Sequence, residues 1–266
     1  MKLNASQLAT YQEQGFLLVP ELFEDWELAL MRAELPGLSD PAKAGVLYER
    51  NGLLRALHGC HQESSVFRGL TEHPRILEVA EQVLQNQVYI HQFKINIKAA
   101  FGGDVWPWHQ DFIFWFKEDG MPAPEAINAA LYLDDVHEFN GPLYFISGSH
   151  REGMIDVPPR EKKPGEKSWT ASFSADLKYR VPTDIVARLE AQKGLVSPKA
   201  AAGSVLFFHP NTIHASVPNL SPHHRRLVII TYNSVHNLPQ SQAERRPGFL
   251  VGHDYRPLKA NANPWK

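Results

Sequence analysis

The chain has 266 residues, of which 43% are hydrophobic and 21% charged, with a formal net charge of -2. Such a chain can bury a core unaided, and its near-zero charge supplies no field for nucleic acid or an anionic membrane. No apolar run reaches bilayer length, Met1 to Ser6 shows no secretory pattern, and the single Cys60 can form no internal disulfide, so a cytoplasmic protein with Cys60 as a small buried hydrophobe is expected.

Residues 1–86 read as helical. Asn4 with Gln7 resembles a capping arrangement, and Gly15 is a stop. Glu24 to Leu35 has helical spacing and ends at Pro36-Gly37. Arg75 to Leu84 repeats the pattern, with Ile76, Val79, Ala80 and Val83 on one face. Strand signals then take over. Val88 to Lys98 alternates: Phe93, Ile95 and Ile97 share one face, and Gln92, Lys94, Asn96 and Lys98 the other. A face this polar either meets solvent or lines a polar pocket. Gly102-Gly103 marks a turn before the aromatic-rich segment Trp106 to Phe116. Further strands are expected over Ala126 to Leu133, Leu143 to Ile146, Ser204 to Phe208 and Arg226 to Tyr232. Residues 151–199 form an insertion rich in Lys, Glu and Pro, with a helix expected over Pro182 to Gln192. An insertion of this length is either a lid or a solvated excursion. The chain shows no repeat and no boundary. It reads as one domain over 1–266, with a β-sandwich or jelly-roll core over about 87–236.

Trp108-His109-Gln110-Asp111 carries the chemistry. A His and an Asp two apart on an extended strand point to one side of the sheet. A second His from a distant strand completes two imidazoles and one carboxylate, the facial triad of non-haem iron(II) oxygenases, which leaves three positions open. His214 and His209 compete for that place, while His150, His223 and His224 fit turns or support of the fold. The aromatic residues around His109 would wall a small-molecule pocket or fill a core. Arg225 lies beyond the turn at Asn219 to Pro222, where the chain can return towards the metal. A guanidinium grips a carboxylate through two hydrogen bonds, so the natural guest is a dicarboxylate held between metal and Arg225, with the adjacent Arg226 as its rival.

These stretches carry a resemblance. Val88 to Gln92, Ile95 to Lys98, Trp108 to Phe112, Trp115 and Glu118 to Pro122 lead it. Asn140 to Leu143, Gly148 to His150 and Ala202 to Val205 continue it. His214, Ser216, Asn219, Ser221-Pro222, Arg225 and Asn233 to Val235 close it. The chain resembles the phytanoyl-CoA dioxygenase superfamily, and within it the ectoine hydroxylase branch.

The resemblance implies a mainly β fold with flanking helices, a cupin-like double-stranded β-helix or jelly roll. It implies Fe(II) on His109, Asp111 and His214, with 2-oxoglutarate as cosubstrate and O2 as oxidant. Arg225 would take the far carboxylate of 2-oxoglutarate, with Asn96, Ser216, Trp106 and Asn128 around it. Asn128 stands where similar proteins have a small hydroxyl residue. Gln92, Trp115, Phe208 and Ile229 would line the substrate pocket, Ile229 replacing an aromatic residue of the ectoine enzymes. The implied reaction releases succinate and CO2 and hydroxylates an unactivated C–H bond of a small polar metabolite. That metabolite is an amino acid, a cyclic derivative or a natural-product intermediate. Asp111 favours hydroxylation, since halogenases of this general kind lack the carboxylate. Desaturation, epoxidation or cyclisation with the same cofactors is the alternative outcome, and a jelly roll that binds ligand without turnover is the non-enzymatic one. No nucleic acid or membrane partner is expected, and the chain would act as a monomer or homodimer.

Overall fold

Asn4 caps helix α1 (Ala5–Gln14): its side chain accepts from the Gln7 amide, and the Gln7 side chain accepts from the Asn4 amide. Gly15 ends the helix at φ 80°, where a side chain is strained. A Cβ at Gly15 would also lie 2.4 Å from His150 Nδ1 and 2.7 Å from Thr212 Oγ1. This tight turn therefore abuts the loop that leads to His214. The computed structural model of the chain describes residues 1–161, 176–240 and 245–265.

The first 86 residues hold three more helices, α2 (Asp25–Leu38), α3 (Ser65–Thr71) and α4 (Pro74–Leu84). They also hold three strands, β1 (Phe16–Val19), β2 (Val46–Tyr48) and β3 (Leu54–His58). Reading this part as helical overlooks those strands. Runs of three to five residues are too short to show a period, and the partners that make β1 a strand, Val205 to Phe208, lie far along the chain.

The remaining strands are β4 (Val88–Lys98), β5 (Trp106–His109), β6 (Ala126–Tyr132), β7 (Leu143–Ile146), β8 (Leu195–Val196), β9 (Val205–Phe208), β10 (His214–Ser216) and β11 (Arg225–Ser234). One sheet has the order β1-β9-β6-β11-β4-β3-β2 and the other β5-β10-β7-β8. The strand pairings are antiparallel, and the two sheets form a double-stranded β-helix with α2 to α4 packed on the large sheet. Among the described residues no helix is long and apolar enough to cross a membrane.

The large sheet divides its side chains cleanly. Phe93, Ile95 and Ile97 of β4, with Ile127, Ala129, Val228 and Ile230, pack outward against Leu28, Met31, Phe67 and Ile76 of the helices. Gln92, Lys94 and Asn96 alternate with them and line the space between the sheets. Burying a large apolar side chain stabilises by about 1.5–3 kcal/mol. A buried polar group without a partner costs about 1–3 kcal/mol. The outer face of β4 thus offsets its polar inner face, and the strand can carry function on one side.

The described parts of the insertion are anchored to the core by a few buried side chains, while many of their other residues are exposed. Val157, Leu177 and Tyr179 lie against Phe112, Phe114 and Trp115. The Val181 amide donates to the Trp108 carbonyl at 2.9 Å. A helix, α6 (Thr183–Lys193), covers Ile146 and Ile213 through Leu189. None of the described insertion residues lines the central pocket. Residues 162–175 of this insertion lie outside the described residues.

Candidate metal centre and its pocket

Strands β5 and β10 pair so that His109 stands directly opposite His214, with ring centroids 4.2 Å apart. Nδ1 of His109 lies 2.7 Å from the Pro107 carbonyl, and Nδ1 of His214 lies 2.9 Å from the Thr212 carbonyl. A carbonyl only accepts, so each Nδ1 carries the proton and each Nε2 keeps a free lone pair. Those two Nε2 atoms lie 3.8 Å and 3.9 Å from the Asp111 carboxylate. Two donors each about 2.1 Å from one ion can be at most about 4.2 Å apart; the His109 separation is to Oδ1 and the His214 separation to Oδ2, and each falls within that limit. The three ligand atoms all lie within 4.8 Å of one another, and no other such group occurs among the described residues.

The route to this arrangement differs from strand alternation. β5 ends at His109, and Asp111 has helical backbone angles of φ -72° and ψ -37° ahead of α5 (Phe112–Phe114). His109 and Asp111 meet across a bend. Gln110 holds that bend, donating to the carbonyls of Gly153 and Asn211 and accepting from the Ile155 amide. The amides of Asp111 and Phe112 both donate to the Pro210 carbonyl.

The site is nearly closed to water. Burial, helped by the neighbouring His214, pushes His109 down to about 3, and burial lowers His214 as well. Both imidazoles are therefore neutral ligands at physiological pH. Burial works to raise Asp111, but the Lys94 charge and the Asn128 amide act against it, and the carboxyl lies below its usual range.

A pocket opens from this triad, with about 690 Å³ of empty space including its mouth. At one end, Arg225 is 2% exposed, and among the described residues no carboxylate lies within hydrogen-bond distance of it. Its Nη2 donates to the Gly141 carbonyl at 2.5 Å, while its Nε has no partner. Ser216 Oγ and Asn96 Oδ1, also buried and lining the pocket, are unpartnered too. Arg225 and Ser216 can donate, and a flip of the Asn96 amide would present its NH2. Unsatisfied buried donors are rare enough to call for a guest. A carboxylate fits this set, so the residues present suit 2-oxoglutarate as they suit a metal. Trp106 also lines the pocket, fixed by the Arg55 guanidinium 3.9 Å from its ring centre.

Gln92, Trp115, Phe208 and Ile229 all face the pocket. Asn128 does not, contrary to its expected place beside the cosubstrate. Its amide lies behind Asp111 instead, 2.8 Å from Oδ2. The rivals lie elsewhere. His209 lies beside His150 with the rings tilted and accepts from the Asn211 amide, and Arg226 is paired to Asp134. Sequence reasoning missed Lys94, whose Nζ is 4.0 Å from Asp111 Oδ1, although its place between Gln92 and Asn96 was the available signal. It also missed Arg246, which reaches the pocket from an irregular C-terminal segment without any local signal. One outcome separates the histidines: His209→Ala is expected to leave Fe(II) uptake within about twofold of wild type by anaerobic titration, since its ring contacts no ligand atom.

A family model described as phytanoyl-CoA dioxygenase (PhyH) matches residues 11–227. An L-proline trans-4-hydroxylase from Streptomyces griseoviridis is 40% identical over 249 residues, covering 93% of this chain and 92% of the relative. The ectoine dioxygenase of Halomonas elongata is 36% identical over 258 residues, covering 94% and 76%. Among solved structures, EctD from S. alaskensis with bound Fe gives a TM-score of 0.81 at 29% identity, over 97% of this chain and 87% of that one. The same enzyme with 2-oxoglutarate and 5-hydroxyectoine gives 0.79 at 28% identity, over 97% and 86%.

Proposed function

The chain belongs to the phytanoyl-CoA dioxygenase family and is an Fe(II)- and 2-oxoglutarate-dependent dioxygenase, and from that premise we propose that it hydroxylates a free cyclic amino acid, with L-proline the first candidate. The observation that carries this reading is a pocket with a guanidinium at each end. Arg225 opens β11 opposite Lys98, at the far end of β4. Arg246 stands at the other end, paired to Asp119 at 2.6 Å, and Asp119 also meets His91 near the start of β4. Between them β4 presents Asn96, Lys94 and Gln92 in order. Two anionic guests fit such a pocket: a dicarboxylate on Arg225 and an amino-acid carboxylate on Arg246.

His109, Asp111 and His214 would hold the iron. The chemistry supplied by bound iron is the coupling of 2-oxoglutarate decarboxylation by O2 to transfer of one oxygen atom into a C–H bond. The chain's own residues do the rest. Arg225, Ser216 and Asn96 hold the cosubstrate, and Arg246 with Gln92 orients the substrate's polar end. Trp115, Phe208 and Ile229 form apolar walls that exclude water and press the ring towards the metal. The similarity of a proline hydroxylase over nearly its whole length favours proline over ectoine, and the aliphatic Ile229 suits a small saturated ring.

The test is 2-oxoglutarate turnover with L-proline, other cyclic amino acids and ectoine, read as succinate release and a mass gain of one oxygen. Coupled turnover with proline or a close analogue is expected, and turnover with ectoine alone would reject the reading. Arg246→Gln is expected to raise KM for the amino acid about 10–100-fold, the loss of a charge-assisted hydrogen bond, and to leave KM for 2-oxoglutarate nearly unchanged. A change confined to 2-oxoglutarate would reject the role given to Arg246.

A further inference from the structure

We infer that Asn128, oriented by Thr231, is a positioning residue that presents one chosen oxygen of Asp111 to the metal. The two residues are directly opposed on β6 and β11, and both are fully buried. The Asn128 Nδ2 donates to Asp111 Oδ2 at 2.8 Å, and the Thr231 hydroxyl donates to Asn128 Oδ1 at 2.6 Å.

The orientation of an Asn amide is usually a choice between two fits to density or to neighbours. Here the chemistry decides it. An ionised carboxylate can only accept, so the NH2 must face Asp111. The amide oxygen then faces Thr231, whose hydroxyl must donate. The chain of donors therefore runs one way, from Thr231 through Asn128 to Asp111. It occupies one lone pair of Oδ2, which His214 Nε2 approaches at 3.9 Å, and leaves Oδ1, which His109 Nε2 approaches at 3.8 Å and Lys94 Nζ at 4.0 Å. The device also ties the metal-bearing bend, which leaves the small sheet, to two central strands of the large sheet. Without it the carboxylate could turn about its terminal bond, since that torsion has only a broad, shallow preference.

The inference rests on the metal assignment above, and the test separates the two. Protein stripped of metal by chelation is titrated anaerobically with Fe(II), without 2-oxoglutarate or substrate, and its melting temperature is read in parallel. Asn128→Leu, similar in size but unable to donate, is expected to weaken Fe(II) binding about 10–100-fold, the usual effect of losing a support to a metal ligand. Thr231→Val, which lets the amide turn over, should weaken it in the same direction, and Thr231→Ser should restore it. Asn128→Leu and Thr231→Val binding Fe(II) as tightly as wild type would overturn the inference, even if both melt at lower temperature. Should Asn128→Leu fail to fold, the Thr231 pair decides alone: equal affinity in Val and Ser variants overturns it. Wild-type protein that takes up no Fe(II) would defeat the metal assignment and this inference together.

Discussion

Replacing Arg225 with Met is expected to weaken 2-oxoglutarate binding by about 2–5 kcal/mol, roughly 30-fold to several thousand-fold, the cost of leaving a buried charge unpaired. The same substitution should not destabilise the protein without ligands. Among the described residues, Arg225 is buried with no anionic partner at hydrogen-bond distance. Burial pulls its pKa down to about 10, which still leaves it charged at neutral pH. Directly across the ladder, burial and then the Arg225 charge push Lys98 down to about 6. The site thus holds a buried cation that Asp134 compensates only at a distance, a cost to the fold that the cosubstrate carboxylate would relieve. Thermal unfolding with and without 2-oxoglutarate checks both halves. A ligand at about a hundred times its Kd should stabilise wild type by about 2.7 kcal/mol. The variant should show no such gain while melting at or above the wild-type temperature of the ligand-free protein. Retained stabilisation by 2-oxoglutarate would reject the role of Arg225.

Asp111→Ala is expected to abolish turnover by abolishing iron uptake. A structural site with four ligands contributes about 10–16 kcal/mol, so one ligand of three is worth on the order of 3 kcal/mol, more than a hundredfold in affinity. The loss has a second part here, because the Asn128 amide would be left with no acceptor in a closed site. Anaerobic Fe(II) titration followed by addition of 2-oxoglutarate tests this. Wild type should give a visible charge-transfer band, and Asp111→Ala and His214→Ala should not. A band that survives Asp111→Ala would remove the carboxylate from the ligand set.

Several features could be read without coordinates because their causes are local. The Asn4–Gln7 cap needs only neighbouring residues, and the helix over Ile76, Val79 and Ala80 needs only a period. The alternation of β4 was equally plain. What it left open was whether Gln92, Lys94 and Asn96 face solvent or a pocket, since period 2 separates two faces without saying which is inside. The pairing of β4 with β11 and the second sheet settles that question by enclosing the polar side. His109 and Asp111 were recognisable by spacing, but the bend that joins them depends on Gln110, Gly153 and Pro210, which no local pattern reveals.

By itself the sequence determined the capped helices, the main core strands, the ligand types and the family, because those depend on residue identity, short spacing and motifs. Only the tertiary structure decided that Arg246 reaches the pocket, that Asn128 stands behind Asp111, and that Phe16 to Val19 is an edge strand. Each of these depends on contacts between segments remote in the chain. Such contacts exist only once burial of the outer face of β4 and its neighbours has brought the two sheets together, and no pattern along one segment encodes them.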